Sequence, residues 1–222
     1  MIRPLLDSAA GELMGLEDYY ADFKDNFATA HEFWKLERGQ EFAEPGNVSW
    51  EAFARGDWEE SMRLLEEQRG DLADYYSEAA ANGLRTHRIR IVQLPLTPYL
   101  QWELNALKIR DETGGPIRVL KVEEIRGIEE HGSLPEIYTM DDRVLYEAIY
   151  DENGVLENAR RFTGTDLVRQ CRDFIIDLWQ GGEPISDFFH REVTRLPPVD
   201  SPGTVVPPDY LKVRGRPGPI RS

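Results

Sequence analysis

The sequence predicts an α/β (α+β) fold: an N-terminal helical region covering a mixed βαβ-plus-meander sheet, with a C-terminal helix. Three observations predict it. Apolar residues before Gly83 recur at three- and four-residue steps, the period of helices with one covered face. From Thr86 the pattern turns extended, and strand, helix and strand follow in quick succession. Three further extended runs are separated by turn signals, Asp141-Asp142-Arg143 and Glu152-Asn153-Gly154.

Leu16, Tyr20, Phe23, Phe27, Ala30 and Trp34 fall on one helical face. Trp34-Lys35-Leu36-Glu37 can leave that helix as a short strand, ended by the turn Glu44-Pro45-Gly46. Ser49 is placed to cap a short helix that Gly56 interrupts. Asp57 opens a long helix, with Glu60 as its capping-box partner and Asn82-Gly83 as its stop.

His87-Arg88-Ile89-Arg90-Ile91-Val92 reads as a strand, and Thr97-Pro98 as the cap and first residue of a helix reaching about Asp111. Pro116-Ile117-Arg118-Val119-Leu120 resumes extended structure, so the unit is βαβ and its strands parallel. Ile137–Met140, Val144–Tyr150 and Val155–Phe162 form the meander. Thr165 then caps a last amphipathic helix carrying Cys171 on its apolar stripe. Three regions follow: 1–83, helical and acidic; 84–196, the sheet domain; 197–222, a Pro-rich basic tail.

The chain of 222 residues is 41% hydrophobic, enough to bury a core, and has net charge −15. The acidity is uneven: residues through Gly83 contain 19 acidic and 7 basic side chains. A field of that sign disfavours phosphate backbones, so the expectation is no direct nucleic acid. It suits a basic protein surface, or simply a solvated helical face. No run reaches the roughly 20 apolar residues of a membrane helix, and the first residues lack a signal-peptide pattern. One cysteine precludes an internal disulfide. These features together give the expectation of a cytoplasmic protein without membrane contact.

Chemical motifs are sparse. His31, His87, His131 and His190 lie at no ligand spacing, so no metal and no cofactor is expected. Gly-x-Ser-x-Gly and a phosphate-cradling loop are missing from the sequence. The candidate ligand-binding residues are Arg88, Arg90, Tyr99, Trp102, Glu103, Asp142 and Arg143. Arg88 and Arg90 alternate on one strand, so their guanidinium groups can converge on an anion. Tyr99, Trp102 and Glu103 add aromatic walls and a carboxylate at the start of the next helix. The structural alternative pairs both arginines with acidic residues of the long helix and buries Trp102. Asp142 and Arg143 belong to a cluster able to share a proton, bind a cation, or merely turn the chain.

Two resemblances extend this reading. Ile117-Arg118-Val119-Leu120, Asp141-Asp142-Arg143 and Phe174-x-x-x-Leu178-Trp179, in the order βαβ, meander, helix, resemble one repeat of the phospholipase D-like fold. That family's His-x-Lys-x4-Asp motif is missing here, which implies a degenerate member without its reaction. Phe33-Trp34-Lys35-Leu36-Glu37, Glu44-Pro45-Gly46, Arg88-Ile89-Arg90-Ile91-Val92, Pro95-Leu96-Thr97-Pro98-Tyr99, Trp102-Glu103-Leu104 and Asp141-Asp142-Arg143 resemble an uncharacterised actinobacterial domain family. Its members are often encoded near helix-turn-helix regulators, which implies a link to transcriptional regulation or specialised metabolism. The expected function is therefore a non-catalytic protein that senses a small anion or binds a partner. A helix-turn-helix regulator is the partner this implies, and a homodimer is the assembly to test. The alternative is an enzyme of small-molecule biosynthesis using Glu37, Glu103 or Asp142 as acid or base.

Overall fold

The structure, a computed structural model, describes residues 2–130 and 132–199. The expected tail at 197–222 therefore lies outside the described residues from 200 onward. Its first residues are docked: Gln101 donates to the Pro197 carbonyl at 2.6 Å, and Val199 packs near Trp50 and Trp102.

One mixed sheet organises the chain, together with flanking helices, as the period analysis predicts. Its strands are β1 (Glu12–Gly15), β2 (Glu32–Glu37), β3 (Arg85–Val92), β4 (Ile117–Lys121), β5 (Ile137–Met140), β6 (Val144–Tyr150), β7 (Leu156–Phe162) and β8 (Glu183–Pro184). They lie in the order β1-β7-β6-β5-β2-β3-β4-β8. β2, β3 and β4 are parallel neighbours, and the remaining pairs are antiparallel. The helices are α1 (Ile2–Ser8), α2 (Leu16–Phe27), α3 (Val48–Ala54), α4 (Trp58–Glu67), α5 (Arg69–Ala81), α6 (Pro98–Glu112), α7 (Val122–Ile125), α8 (Thr165–Gly181) and α9 (Ile185–Glu192).

Several local expectations differ from this outcome. The first helix stops at Phe27, and Trp34 lies within β2. Region 1–83 therefore supplies a central strand as well as a helical cover, because β2 pairs with both β3 and β5. The expected long helix is two helices meeting at Gln68. Asn47, not Ser49, caps α3, since its side chain accepts from the Ser49 and Trp50 amides. Ser49 turns inward and bonds Ser61 instead. Gly164, not Thr165, occupies the cap position of α8. Thr97 does cap α6, accepting from the Leu100 amide at 3.1 Å.

The two sheet faces are chemically unlike. Residues alternate across a strand, so Trp34 and Leu36 of β2 share a face with Ile89 and Ile91 of β3. That face is apolar, and α8 covers it with Val168, Cys171 and Ile175. On the opposite face α2 covers Phe33, Tyr138 and Tyr146, while α6 covers Val92, Ile117 and Val119. Between those two apolar patches β2 and β3 present Lys35, Glu37, Arg88 and Arg90. Central parallel strands are normally apolar on both faces, so this charged stretch calls for an explanation.

Candidate functional site

Register brings the charges together. Lys35 lies beside Arg88, and Glu37 beside Arg90, across the parallel β2–β3 pair. Lys35 Nζ contacts Glu37 Oε1 at 2.5 Å, and Arg88 Nη1 lies 3.2 Å from Glu37 Oε2. Two cations thus share one carboxylate. The Arg88 contact is an ion pair without hydrogen-bond alignment: Arg88 Nη1 and Glu37 Oε2 are both buried with no hydrogen-bond partner among the described residues. Burial alone would raise the Glu37 carboxyl, but Arg88, Lys35 and Arg90 hold it down at about 2. Burial lowers the Lys35 ammonium from its ordinary value, against the pull of Glu37.

These groups form the floor of a cleft of about 80 Å³. Tyr19, Phe23, Phe33, Phe42, Tyr138 and Tyr150 supply its aromatic walls, and Tyr99 and Glu44 complete the polar side. The strap after β2 closes one end. Glu136 accepts from the Arg38 and Gly39 amides at 2.7 and 2.5 Å. Gln40 bonds the Ile91 carbonyl and the Gln93 amide, and the Ala43 amide donates to the Gly154 carbonyl at 2.9 Å. Phe42 is thereby set against Tyr150, with ring centroids 4.5 Å apart.

The sequence-derived candidates divide into three groups. Arg88 and Tyr99 line the cleft. Arg90, Trp102 and Glu103 are almost wholly closed off from solvent. Arg90 Nε donates to Glu103 Oε2 at 2.8 Å, and Trp102 Nε1 donates to Ser49 Oγ at 3.1 Å. The arginines are paired with Glu37 and Glu103, and not with the helices between Asp57 and Gly83. Tyr99 Oη donates to Glu44 Oε1 at 2.7 Å and also lies 3.2 Å from Glu103 Oε1. Burial, reinforced by Glu37 and Glu44, raises the Glu103 carboxyl to about 7, although Arg90 opposes the shift.

Asp142 and Arg143 stand elsewhere. Asp141 accepts from the His31 and Glu32 amides at the entry of β2, whereas Glu37 lies at its exit. Asp142 pairs with Arg169 and Arg172 of α8, and Arg143 with Asp141. This cluster ties the β5–β6 turn to α8 and to the start of β2, so the structure does not bring it to the cleft. Among the described residues no three His, Cys, Asp or Glu side chains are grouped to hold a metal ion.

A family model described as a domain of unknown function, DUF6879, matches residues 21–190. The chain belongs to the DUF6879 family. The matched range includes α2 from Ala21 onward, the strap and every strand that lines the cleft, and leaves out Tyr19. No curated protein matches the chain. Among solved structures it is similar to TrmBL2, an archaeal chromatin protein described as showing a novel mode of DNA binding. The TM-score is 0.41 and the identity 12%, over 82% of this chain and 55% of that one. This chain thus spans about half the length of that neighbour. The sequence-based expectation of no direct nucleic acid is corrected on physical grounds: net charge sums the whole chain, whereas nucleic acid meets a local surface, so the acidity does not exclude it. No described helix is long and apolar enough to cross a membrane.

Sequence reasoning missed Lys35, Tyr19, Tyr138 and the strap as parts of the site. The available signal was Phe33-Trp34-Lys35-Leu36-Glu37, where alternation puts a lysine and a glutamate on one face of a strand.

Proposed function

We propose that this DUF6879 protein is a non-catalytic small-molecule-binding protein whose ligand enters the cleft between α2 and the charged sheet face. The observation that carries the proposal is the Arg88 guanidinium. It is buried at the floor of an aromatic-walled cleft, and among the described residues its Nη1 meets Glu37 Oε2 at 3.2 Å as an ion pair without a hydrogen bond. A buried charged donor whose ion pair leaves its hydrogen bond unmade is ordinarily completed by a ligand or water. Aromatic walls with a few convergent polar groups are the usual make-up of a ligand pocket.

The enzyme reading has less support. Glu103 has the raised carboxyl that acid–base work needs, yet it sits behind Tyr99 and Arg90, with its side chain 1% exposed. Glu37 is held as a carboxylate by two cations, and Asp142 is at the other end of β2. The resemblance to a phospholipase D-like repeat without its catalytic motif fits a binding role. The regulatory or metabolic setting implied by the family resemblance belongs to the same proposal.

A small-molecule library screened by thermal shift tests it. A true ligand raises the unfolding midpoint by mass action. It should fail to do so for Ala148→Phe, which places a ring in the cleft. Equal shifts in both proteins would put the ligand outside the cleft.

A further inference from the structure

The charges at the cleft floor also indicate what kind of ligand fits, an inference that rests on the binding role proposed above. Lys35 and Arg88 engage the two oxygens of one carboxylate, that of Glu37, at 2.5 and 3.2 Å. Their spacing is therefore already that of a carboxylate's two oxygens. Lys35 has three donors, and Glu37 is its one ion-pair partner among the described residues. Arg88 carries five donors, and among the described residues its Nη1 makes an ion pair with Glu37 but no hydrogen bond. At the floor two cations meet one carboxylate, and Glu44 brings a second carboxylate to the polar side of the cleft. Glu44, the other acid lining the cleft, is directed elsewhere: Oε1 accepts from Tyr99 and Oε2 from Asn47. Glu103 neutralises Arg90 beneath the floor.

Local charge narrows the class. Lys35 and Arg88 already share one carboxylate, so a ligand with a single carboxylate suits them, while the nearby Glu37 and Glu44 repel more highly charged species such as a phosphate monoester.

We infer that the cleft binds a monocarboxylate carrying a flat apolar or aromatic group. Its carboxylate takes donors from Lys35 and Arg88 beside Glu37, and its ring lies against Phe42, Tyr138 and Tyr150. Glu37 then acts as a built-in competitor that keeps affinity modest and excludes dianions.

Calorimetric titration of the full chain with benzoate, phenylacetate, phenyl phosphate, benzyl alcohol and benzylamine tests the class. Saturable binding of benzoate or phenylacetate is expected, with phenyl phosphate and benzyl alcohol at least tenfold weaker. Arg88→Gln and Lys35→Gln should each weaken the carboxylate at least tenfold, and Glu37→Gln should strengthen it. Each variant is first checked for a native-like unfolding transition, and the two cation variants back each other if one fails to fold. Preferential binding of the phosphate, alcohol or amine in the cleft would overturn the carboxylate class and leave the binding role standing. If none of the five probes binds, the carboxylate class falls, and the library screen with its Ala148→Phe control decides the binding role separately.

Discussion

Arg90 and Glu103 form an ion pair closed off from solvent, Nε to Oε2 at 2.8 Å, joining β3 to α6 directly beneath the cleft. Arg88, two residues earlier on the same strand face, meets its carboxylate without hydrogen-bond alignment. The two arginines therefore have different work. Arg90 fixes the crossover helix to the sheet, and Arg88 presents donors to the cleft.

The first prediction separates them by stability. Removing one partner of a buried pair typically costs about 3–5 kcal/mol, because the other charge is left stranded. Arg90→Gln should approach the lower end of that range, since Glu103 can take up a proton. Arg88→Gln should cost clearly less, because Lys35 still compensates Glu37. Urea denaturation of both variants measures the difference, and equal losses would contradict the division of labour.

A second prediction concerns pH. Burial raises the folded Glu103 carboxyl from 4.5 to about 7, so the folded protein binds this proton more tightly than the unfolded chain. Its contribution is complete below 4.5 and is lost as pH rises through 7. Glu37 runs the other way: its folded value near 2 gives stability above 4.5 that is lost as pH falls toward 2. Glu103→Gln, which imitates the protonated acid, should flatten the decline in stability between pH 4.5 and 7. An unchanged slope in the variant would show that Glu103 does not titrate there.

The third prediction addresses the strap. Gly154 has φ of +74°, and a Cβ there would lie 3.3 Å from Phe42 Cα and 3.4 Å from the Ala43 nitrogen. Gly154→Ala should cost roughly 1–2 kcal/mol from the left-handed backbone, plus the push on the strap. Hydrogen exchange should quicken at the Ala43 amide, which bonds the Gly154 carbonyl. Unaltered exchange would mean that the strap does not depend on this turn.

The fourth prediction is chemical. Cys171 is fully buried under the sheet, and burial pushes its thiol up to about 12. A thiol reagent at pH 8 should label it only after denaturant is added. Rapid labelling of the folded protein would place it nearer the surface than the structure does.

Much of the fold is legible in residue pattern because the signals are local. Thr97-Pro98 marks the start of α6, and Asn153-Gly154 the β6–β7 turn. β2 is obscured because Phe27, Ala30 and Trp34 prolong a helical step across the end of α2. The break at Gln68 is marked only by Gly70, which itself lies within α5, and its φ of −76° and ψ of −11° barely leave the helix. At the site, the alternation of Arg88 and Arg90 is visible in the sequence. Their partners are not, since Glu37 reaches Arg88 only through the β2–β3 register, and Glu103 reaches Arg90 only through the packing of α6. Those are tertiary facts with no local signature. The same holds for the cleft, whose walls come from α2, the strap, β5 and β6.

Chemical-shift mapping during titration with a ligand found by screening tests the central claim most directly. The account predicts shifts that saturate together at the Lys35, Glu37, Arg88, Tyr138 and Tyr150 amides and at the Arg88 side-chain Nε. Shifts gathered on the outer faces of α4 and α5, with the Arg88 side chain unmoved, would contradict it.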